Sequence, residues 1–225
     1  MKVVGISGAP SNAWKCPSEV LLEKSLEELK TTFNAETELI RLKDYNIKLC
    51  QGCGVCMQGL PCPTFNNPKD ELKALTEKTY GAHGFIFASP VHHTTGILFN
   101  WTNFWNRWRL VFEKEHAAHW GVQVNDLEEN PLCFSPVASI VTFKERGEGK
   151  GLFDIYGRYT GGYRFSDAIS LGIKLKDGNG TDPNELLWEE DIEAAVAVGR
   201  RMGEILSSEL CEMLLQIICG EDMVQ

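Results

Sequence analysis

The sequence has no long hydrophobic run, no repeat and no low-complexity tract. No segment approaches the roughly 20 consecutive apolar residues that a membrane-spanning helix needs. The apolar start of the chain is interrupted by Gly8 and Pro10, too early for the apolar region of a signal peptide, and it fits a first β-strand. We therefore expect a cytoplasmic protein that does not span a membrane.

Basic residues are also scarce. The chain has 22 Lys and Arg against 31 Asp and Glu, which gives a formal net charge of −9. Nucleic-acid binding requires clustered Lys and Arg that neutralise phosphates, and no such cluster is present. We expect no nucleic-acid partner, and we interpret the acidic balance as a source of solubility.

Two common nucleotide-binding motifs are missing, because the chain contains neither a P-loop nor a Gly-x-Gly-x-x-Gly fingerprint. The loop SGAPSNAWKCPS (7–18) offers short polar side chains ahead of a predicted helix. Free N–H groups and the positive end of the helix dipole make such a position suitable for a phosphate. Two interpretations stay open: a phosphate-binding loop, or an ordinary strand–helix turn with Ser18 as the N-cap.

Strand-like and helix-like segments alternate along the chain, which is typical of an α/β fold with a parallel sheet. The predicted strands are 2–7, 37–42, 83–89, one within 132–143, and 167–175. The predicted helices are 18–33, 68–80, 96–112 and a long one from about residue 186. We predict one domain over 1–225, with insertions at 113–131 and 144–165. Ligands should lie beyond the carboxyl ends of the strands, at the loops 7–18, 43–66 and 89–96.

Half of the eight cysteines lie in one short segment with the spacing C-x2-C-x2-C-x5-C: Cys50, Cys53, Cys56 and Cys62. Stable disulfides are rare in the cytosol. Zinc sites usually pair two Cys or Cys/His knuckles that are a dozen or more residues apart. Three thiolates from one tight loop are typical of iron–sulfur clusters. The spacing therefore favours a [4Fe–4S] cluster held by all four cysteines, with zinc or free thiols as the alternatives.

A helix rich in aromatic residues is predicted at 96–112. Its tryptophans Trp101, Trp105 and Trp108 recur at i, i+4 and i+7, on one helical face. Aromatic side chains bury large areas in cores and interfaces. We expect this face to pack in the core or against another subunit, with stacking on a flavin or an aromatic substrate as the alternative.

Three motifs together resemble the iron–sulfur flavoproteins, which belong to the wider group of flavodoxin-like NADPH-dependent FMN reductases. The motifs are VVGISGAP, CQGCGVCMQGLPC and GFIFASPVHH, and the resemblance covers Met1 to about Phe112. It implies a three-layer, doubly wound, five-stranded parallel sheet of order 2-1-3-4-5, with a cysteine-rich cluster loop (43–66) inserted after the second strand. It also implies bound FMN, a nearby [4Fe–4S] cluster, and a homodimer or homotetramer.

The same resemblance implies which residues contact FMN. The phosphate loop would contribute Ser7, Ala9, Pro10, Ser11, Asn12 and Ser18. The isoalloxazine ring would be bordered by Pro90, Val91, His92, His93 and Thr94. The chain departs from the family pattern in three places. It lacks the Asn-Gly-Asn-Thr run of the phosphate loop, it has His92 where the family has Tyr after Ser-Pro-Val, and it lacks a Gly-Gly pair after the fourth strand.

His92 and His93 are candidate catalytic residues. Flavin and substrate reduction both move protons, and imidazole titrates near neutral pH. The alternative is that the two histidines only shape the flavin pocket.

Three functions are then possible. The first is an oxidoreductase in which the cluster takes single electrons from a donor such as ferredoxin, and FMN passes them to a small-molecule acceptor or a protein partner. The second is an NAD(P)H-dependent reductase of flavins or quinones. The third, from another class, is a redox or metal sensor.

Overall fold

The protein was analysed as a computed structural model, which describes residues 1–10, 16–55, 62–65, 67–90, 103–104, 107–108, 136–143, 170–177 and 182–208. Its centre is a five-stranded, all-parallel sheet of order β2-β1-β3-β4-β5. The strands are β1 (Lys2–Ser7), β2 (Glu36–Arg41), β3 (Gly84–Pro90), β4 (Val137–Phe143) and β5 (Ser170–Lys174). The predicted flavodoxin-like topology is confirmed.

Three helices are described: α1 (Pro17–Phe33), α2 (Leu72–Thr79) and α3 (Glu189–Leu206). Short 3-10 helices occupy Leu42–Asp44 and Pro183–Leu186. Of the predicted helix 96–112, the four residues that the structure describes, Asn103, Phe104, Arg107 and Trp108, are helical. The predicted insertions 113–131 and 144–165 lie outside the described residues.

Two helix starts differ from the prediction. Cys16, not Ser18, is the N-cap of α1, because Pro17 takes a first-turn position that suits its fixed φ and missing N–H. Helix α2 begins at Leu72 rather than at 68, since the preceding residues form turns in which the Asp70 carboxylate accepts a hydrogen bond from the Leu72 N–H.

Helices pack on both faces of the sheet, so the layers are helix, sheet and helix. On one face α1 and α3 bury a core that includes Leu22, Ile86 and Val198. Helix α3 comes close to α1 because Gly199 has no side chain: a Cβ there would lie 2.2 Å from the Ser25 carbonyl oxygen. On the other face α2 packs with Trp108.

Trp108 is the centre of an aromatic cluster on that second face and is fully buried. Its ring meets Phe85 and Phe87 edge-on, at centroid distances of 5.9 and 6.0 Å, and stacks on Phe104 at 5.1 Å. The cluster packs Phe104 and Trp108 against β3. The expected core position is thus found for Trp108, whereas Trp101 and Trp105 lie outside the described residues.

The sheet places two loops side by side. Ser7 of β1 pairs with Ala88 of β3, and the Gly8 N–H donates to the Ala88 carbonyl at 2.8 Å. Chain order reverses at this strand pair, and such a switch point is where open α/β sheets bind ligands. The cysteine segment follows β2, which is parallel to β1 and therefore ends at the same carboxyl-terminal side of the sheet.

Candidate functional site

Three cysteines of the predicted cluster loop line one small pocket. Cys50 and Cys53 are exposed and Cys62 is half-buried. The pocket is lined by Cys50, Gln51, Cys53, Gly54, Cys62, Pro63, Thr64 and Arg107. Cys56 lies outside the described residues. Within the described part of the chain, no three His, Cys, Asp or Glu side chains form a group that could hold a single metal ion.

The chain curls around Cys53 because of the glycines on either side of it. Gly52 and Gly54 have φ values of 63° and 70°, in the left-handed region where a side chain is strained. No other atom lies within 4 Å of where a Cβ would stand on either glycine. Backbone conformation, not crowding, therefore explains these two glycines.

Asn103 holds the first part of the segment in place. Its Oδ1 accepts a hydrogen bond from the Cys50 N–H at 2.5 Å, and its Nδ2 donates to the carbonyls of Lys48 at 2.6 Å and Ile47 at 3.3 Å. Asn103 is buried. One side chain thus fixes the backbone at Cys50 against the aromatic face of the sheet.

Arg107, one helical turn further on, connects both ends of the segment. Its Nη1 donates to the Lys48 carbonyl at 2.6 Å, and its Nη2 donates to Thr64 Oγ1 at 2.8 Å and to Asp70 Oδ2 at 2.5 Å. Arg107 is 2% exposed. A buried guanidinium therefore lines the cysteine pocket, and the buried Asp70 carboxylate is paired with it.

The surroundings of Cys62 favour the thiolate. Burial opposes ionisation of this thiol, but hydrogen bonds with Thr64 and Arg107 and the guanidinium charge outweigh it and lower the pKa of Cys62. The sulfur lies 3.3 Å from Thr64 Oγ1. The thiolate is the form of cysteine that binds metals.

The second candidate region is the edge of the sheet formed by the carboxyl-terminal ends of the neighbouring strands β1 and β3. Ser7 is fully buried, and its hydroxyl donates to Glu19 Oε2 at 3.0 Å and accepts from the Ala9 N–H at 3.3 Å. Ser18 is buried in the first turn of α1, and its hydroxyl donates to Cys16 Sγ at 3.4 Å. Ala9 is buried and Pro10 is exposed.

On the β3 side, the described residues end at Pro90, which is buried at the end of the strand. The remaining residues of the predicted flavin contacts lie outside the described residues: Ser11, Asn12, Val91, His92, His93 and Thr94. The structure brings Ser7, Ala9, Pro10 and Pro90 to one edge, and the contacts of these residues with FMN stay predictions.

Glu19 is the centre of a buried charge network at this edge, and its carboxylate is 1% exposed. The carboxylate pairs with Arg41 Nε at 2.8 Å and lies 3.7 Å from Lys43 Nζ. Burial alone would raise the pKa of Glu19, but hydrogen bonds from Arg41 and Ser7 and the nearby positive charges lower it. The two cations offset the carboxylate, so the edge does not carry an uncompensated negative charge.

Replacing Glu19 with Gln should lower the free energy of unfolding at pH 7 by about 2 kcal/mol, the usual contribution of a hydrogen bond to a charged group. Because the folded state lowers the pKa of Glu19, its contribution is present above the unfolded pKa and is lost as pH falls through the folded pKa. Urea titrations of both proteins between pH 7 and pH 3 should therefore converge at the acid end.

The exposed pair Glu27–Lys24 provides the control for this experiment. Glu27→Gln should leave the urea midpoint close to that of the wild type over the same pH range. A difference between Glu19→Gln and wild type that persists undiminished at pH 3 would contradict the ionic role of Glu19.

The sequence reasoning missed the residues that organise both regions. Asn103 and Arg107 are not among the predicted site residues. They are polar residues four apart in a helix predicted to be rich in aromatic residues, and this pattern indicates polar side chains that are buried and hydrogen-bonded. Glu19 is also not among the predicted site residues, because acidic residues are common in first helical turns and usually lie exposed to solvent there. Its burial depends on Arg41 and Lys43, which come from another strand and loop.

Comparison with known proteins finds sequence relatives over part of the chain. Residues 1–104 match the sequence profile of the NADPH-dependent FMN reductase family. An iron-sulfur flavoprotein of Archaeoglobus fulgidus is 36% identical over 102 residues, which are 44% of this chain and 46% of that protein. The iron-sulfur flavoprotein MJ1083 of Methanocaldococcus jannaschii is 34% identical over 92 residues, 41% of this chain and 44% of that protein. The resemblance predicted from the sequence is confirmed, over a match that spans less than half the length of these curated relatives.

Solved structures show the same fold at low identity. An NAD(P)H:quinone oxidoreductase from Methanothermobacter marburgensis aligns with a TM-score of 0.56 and 14% identity, covering 92% of this chain and 98% of that one. RosB, solved with a bound 8-demethyl-8-formylriboflavin-5'-phosphate intermediate, gives 0.61 and 14%, covering 92% and 80%. Oxidised flavodoxin 1 from Bacillus cereus gives 0.50 and 12%, covering 92% and 100%. These similarities establish the flavodoxin-like fold.

No helix within the described ranges is both long and apolar enough to cross a membrane.

Proposed function

We propose that this protein is a flavin-dependent oxidoreductase that uses FMN and a [4Fe–4S] cluster held by Cys50, Cys53, Cys56 and Cys62. The observation that carries the proposal is the pocket shared by three of these cysteines, beside a guanidinium that favours the Cys62 thiolate. The names of the two curated relatives support the cluster, and the match of residues 1–104 supports the flavin.

The cluster fits the donor set of the pocket. Cysteine thiolates are the usual ligands of [4Fe–4S] clusters, and C-x2-C-x2-C is a spacing that such clusters use. Gly52 and Gly54 let the chain wrap closely, and Asn103 fixes the Cys50 backbone without occupying its sulfur. The described part of the pocket thus offers three thiol ligands on a supported loop.

FMN fits the edge formed by β1 and β3. The chain leaves both strands side by side at the switch point, and Arg41 and Lys43 offset the charge of Glu19, so a phosphate group there would not face an uncompensated carboxylate. In this proposal, the phosphate lies at the loop between Ser7 and Ser18, and the ring lies against the segment that starts at Pro90.

When bound, the cluster exchanges single electrons and FMN exchanges one or two, which lets the pair connect one-electron and two-electron partners. In this proposal, the chain would hold both cofactors and set the charge around them. His92 or His93 would supply or accept the proton that accompanies flavin or substrate reduction.

We further propose ferredoxin or a similar one-electron protein as the donor, a small molecule as the acceptor, and a cytoplasmic homodimer or homotetramer. Two electrons from the donor balance each two-electron reduction of the acceptor. The second candidate is direct reduction by NAD(P)H, and the specific observation that favours it is the match to an NADPH-dependent family.

Stopped-flow absorbance separates the two candidates. Anaerobic holoprotein is mixed with reduced ferredoxin, NADPH or NADH, and flavin bleaching is followed. We expect bleaching by reduced ferredoxin to be rapid and bleaching by either nicotinamide to be slow. Rapid bleaching by NADPH alone would contradict ferredoxin as the donor and support the second candidate.

A further inference from the structure

Arg107 is buried and charged, and its hydrogen bonds to the loop do not by themselves explain why a charge lies beside the cysteines. Arg107 lines the cysteine pocket, and its guanidinium hydrogen-bonds to the Lys48 carbonyl, Thr64 and Asp70. Its Nε is buried with no hydrogen-bond partner. A neutral donor such as Gln could satisfy the Lys48 carbonyl, so the hydrogen bonds alone do not explain why a full charge is buried here.

Asp70 keeps this charge in place. The Asp70 side chain is fully buried, and its second oxygen accepts hydrogen bonds from the N–H groups of Leu72 at 3.2 Å and Lys48 at 3.4 Å. Arg107 Nη2 pairs with Asp70 Oδ2 at 2.5 Å, and both side chains are buried. An arginine guanidinium stays protonated in proteins, so the charge beside the pocket is fixed.

A fixed positive charge beside a redox centre changes the reduction potential of that centre. Reduction adds one negative charge to the cluster, so a nearby cation stabilises the reduced form more than the oxidised form and raises the potential. The effect is large when the cation is buried, because low polarity and poor access of salt leave the interaction weakly screened. Asp70 acts in the opposite direction, from behind Arg107.

We propose that Arg107 raises the reduction potential of the cluster bound at the cysteine pocket, and that Asp70 determines how much of the Arg107 charge the cluster experiences. Arg107 is a positioning and tuning residue here and not a cluster ligand. This proposal rests on the proposed function, because it requires that the cysteines bind an iron–sulfur cluster.

The test is an EPR-monitored redox titration of anaerobically purified holoprotein. Arg107→Gln should make the cluster potential more negative, with about a tenfold change in the reduced-to-oxidised ratio at a fixed potential, equal to about 59 mV for a one-electron couple. Arg107→Lys, which keeps the charge, should restore most of that shift. Asp70→Asn should move the potential in the opposite direction, to more positive values.

Glu77→Gln provides the matched control, because it also removes one negative charge, but from an exposed position on α2. Its shift should be much smaller than that of Asp70→Asn, since solvent and salt screen exposed charges. A general effect of net charge would instead shift the two variants equally, and that result would overturn the proposal.

The outcomes separate this proposal from the proposed function. Wild-type protein without iron and sulfide would defeat the proposed function itself. A cluster that is retained in Arg107→Gln with an unchanged potential would overturn only the tuning role. If Arg107→Gln fails to fold, Asp70→Asn decides alone: a shift to more positive potential supports the proposal, and no shift or a negative shift contradicts it.

Discussion

Cys53→Ala protein purified without oxygen should contain no stoichiometric iron, whereas wild-type protein should contain about four iron atoms per chain. Cys53 lies between Gly52 and Gly54, which both have positive φ values, so we expect this turn of the backbone to place its thiol. It is also exposed in the structure, so its replacement should not affect the packing of the fold. Iron and acid-labile sulfide assays measure the loss.

Cys16→Ala is the matched control for that experiment. Cys16 is the N-cap of α1 and does not line the cysteine pocket. Burial raises the pKa of the Cys16 thiol despite hydrogen bonds with Ser18, so this cysteine is not prepared as a ligand. The variant should keep its iron. Stoichiometric iron in Cys53→Ala would contradict the ligand assignment.

Trp108→Ala should lower the free energy of unfolding by about 3–5 kcal/mol, the usual cost of removing a large buried aromatic side chain. The ring is fully buried and contacts Phe85, Phe87 and Phe104. Its removal leaves a cavity under the helical turn that carries Arg107. Urea denaturation followed by circular dichroism measures the change.

Trp188 offers a control with the same residue type. It is 54% exposed at the start of α3, where its ring lies 4.2 Å from Lys176 Nζ. Trp188→Ala should cost about 1 kcal/mol or less, the range of an exposed cation–π contact. Equal losses in the two variants would show that burial in the aromatic cluster does not determine the stability of this face.

The fold was predictable because its signals are local. The apolar runs of β1 and β3 are short, rich in apolar and β-branched or aromatic residues and followed by turn residues, and helix α1 carries apolar residues at helical spacing. Errors arose where short-range chemistry competes with that pattern. Because of Pro17, α1 begins one residue earlier than the predicted residue 18. Because of the turns around Asp70, α2 begins at Leu72 instead of residue 68.

The site was predictable only in part. The cysteine spacing is a local pattern, so the segment itself could be identified. The side chains that support it come from elsewhere in the chain: Asn103 and Arg107 are more than 40 residues from most of their partners in the segment. Only the fold brings these residues together, because side chains of β2 and β3 share one core cluster with Phe104 and Trp108.

The metal and flavin content of anaerobically purified wild-type protein decides whether the chain holds both cofactors. We expect about four iron atoms and about four acid-labile sulfides per chain, together with one FMN released on denaturation. Zinc without acid-labile sulfide, or iron and sulfide in a protein that never retains flavin, would contradict it.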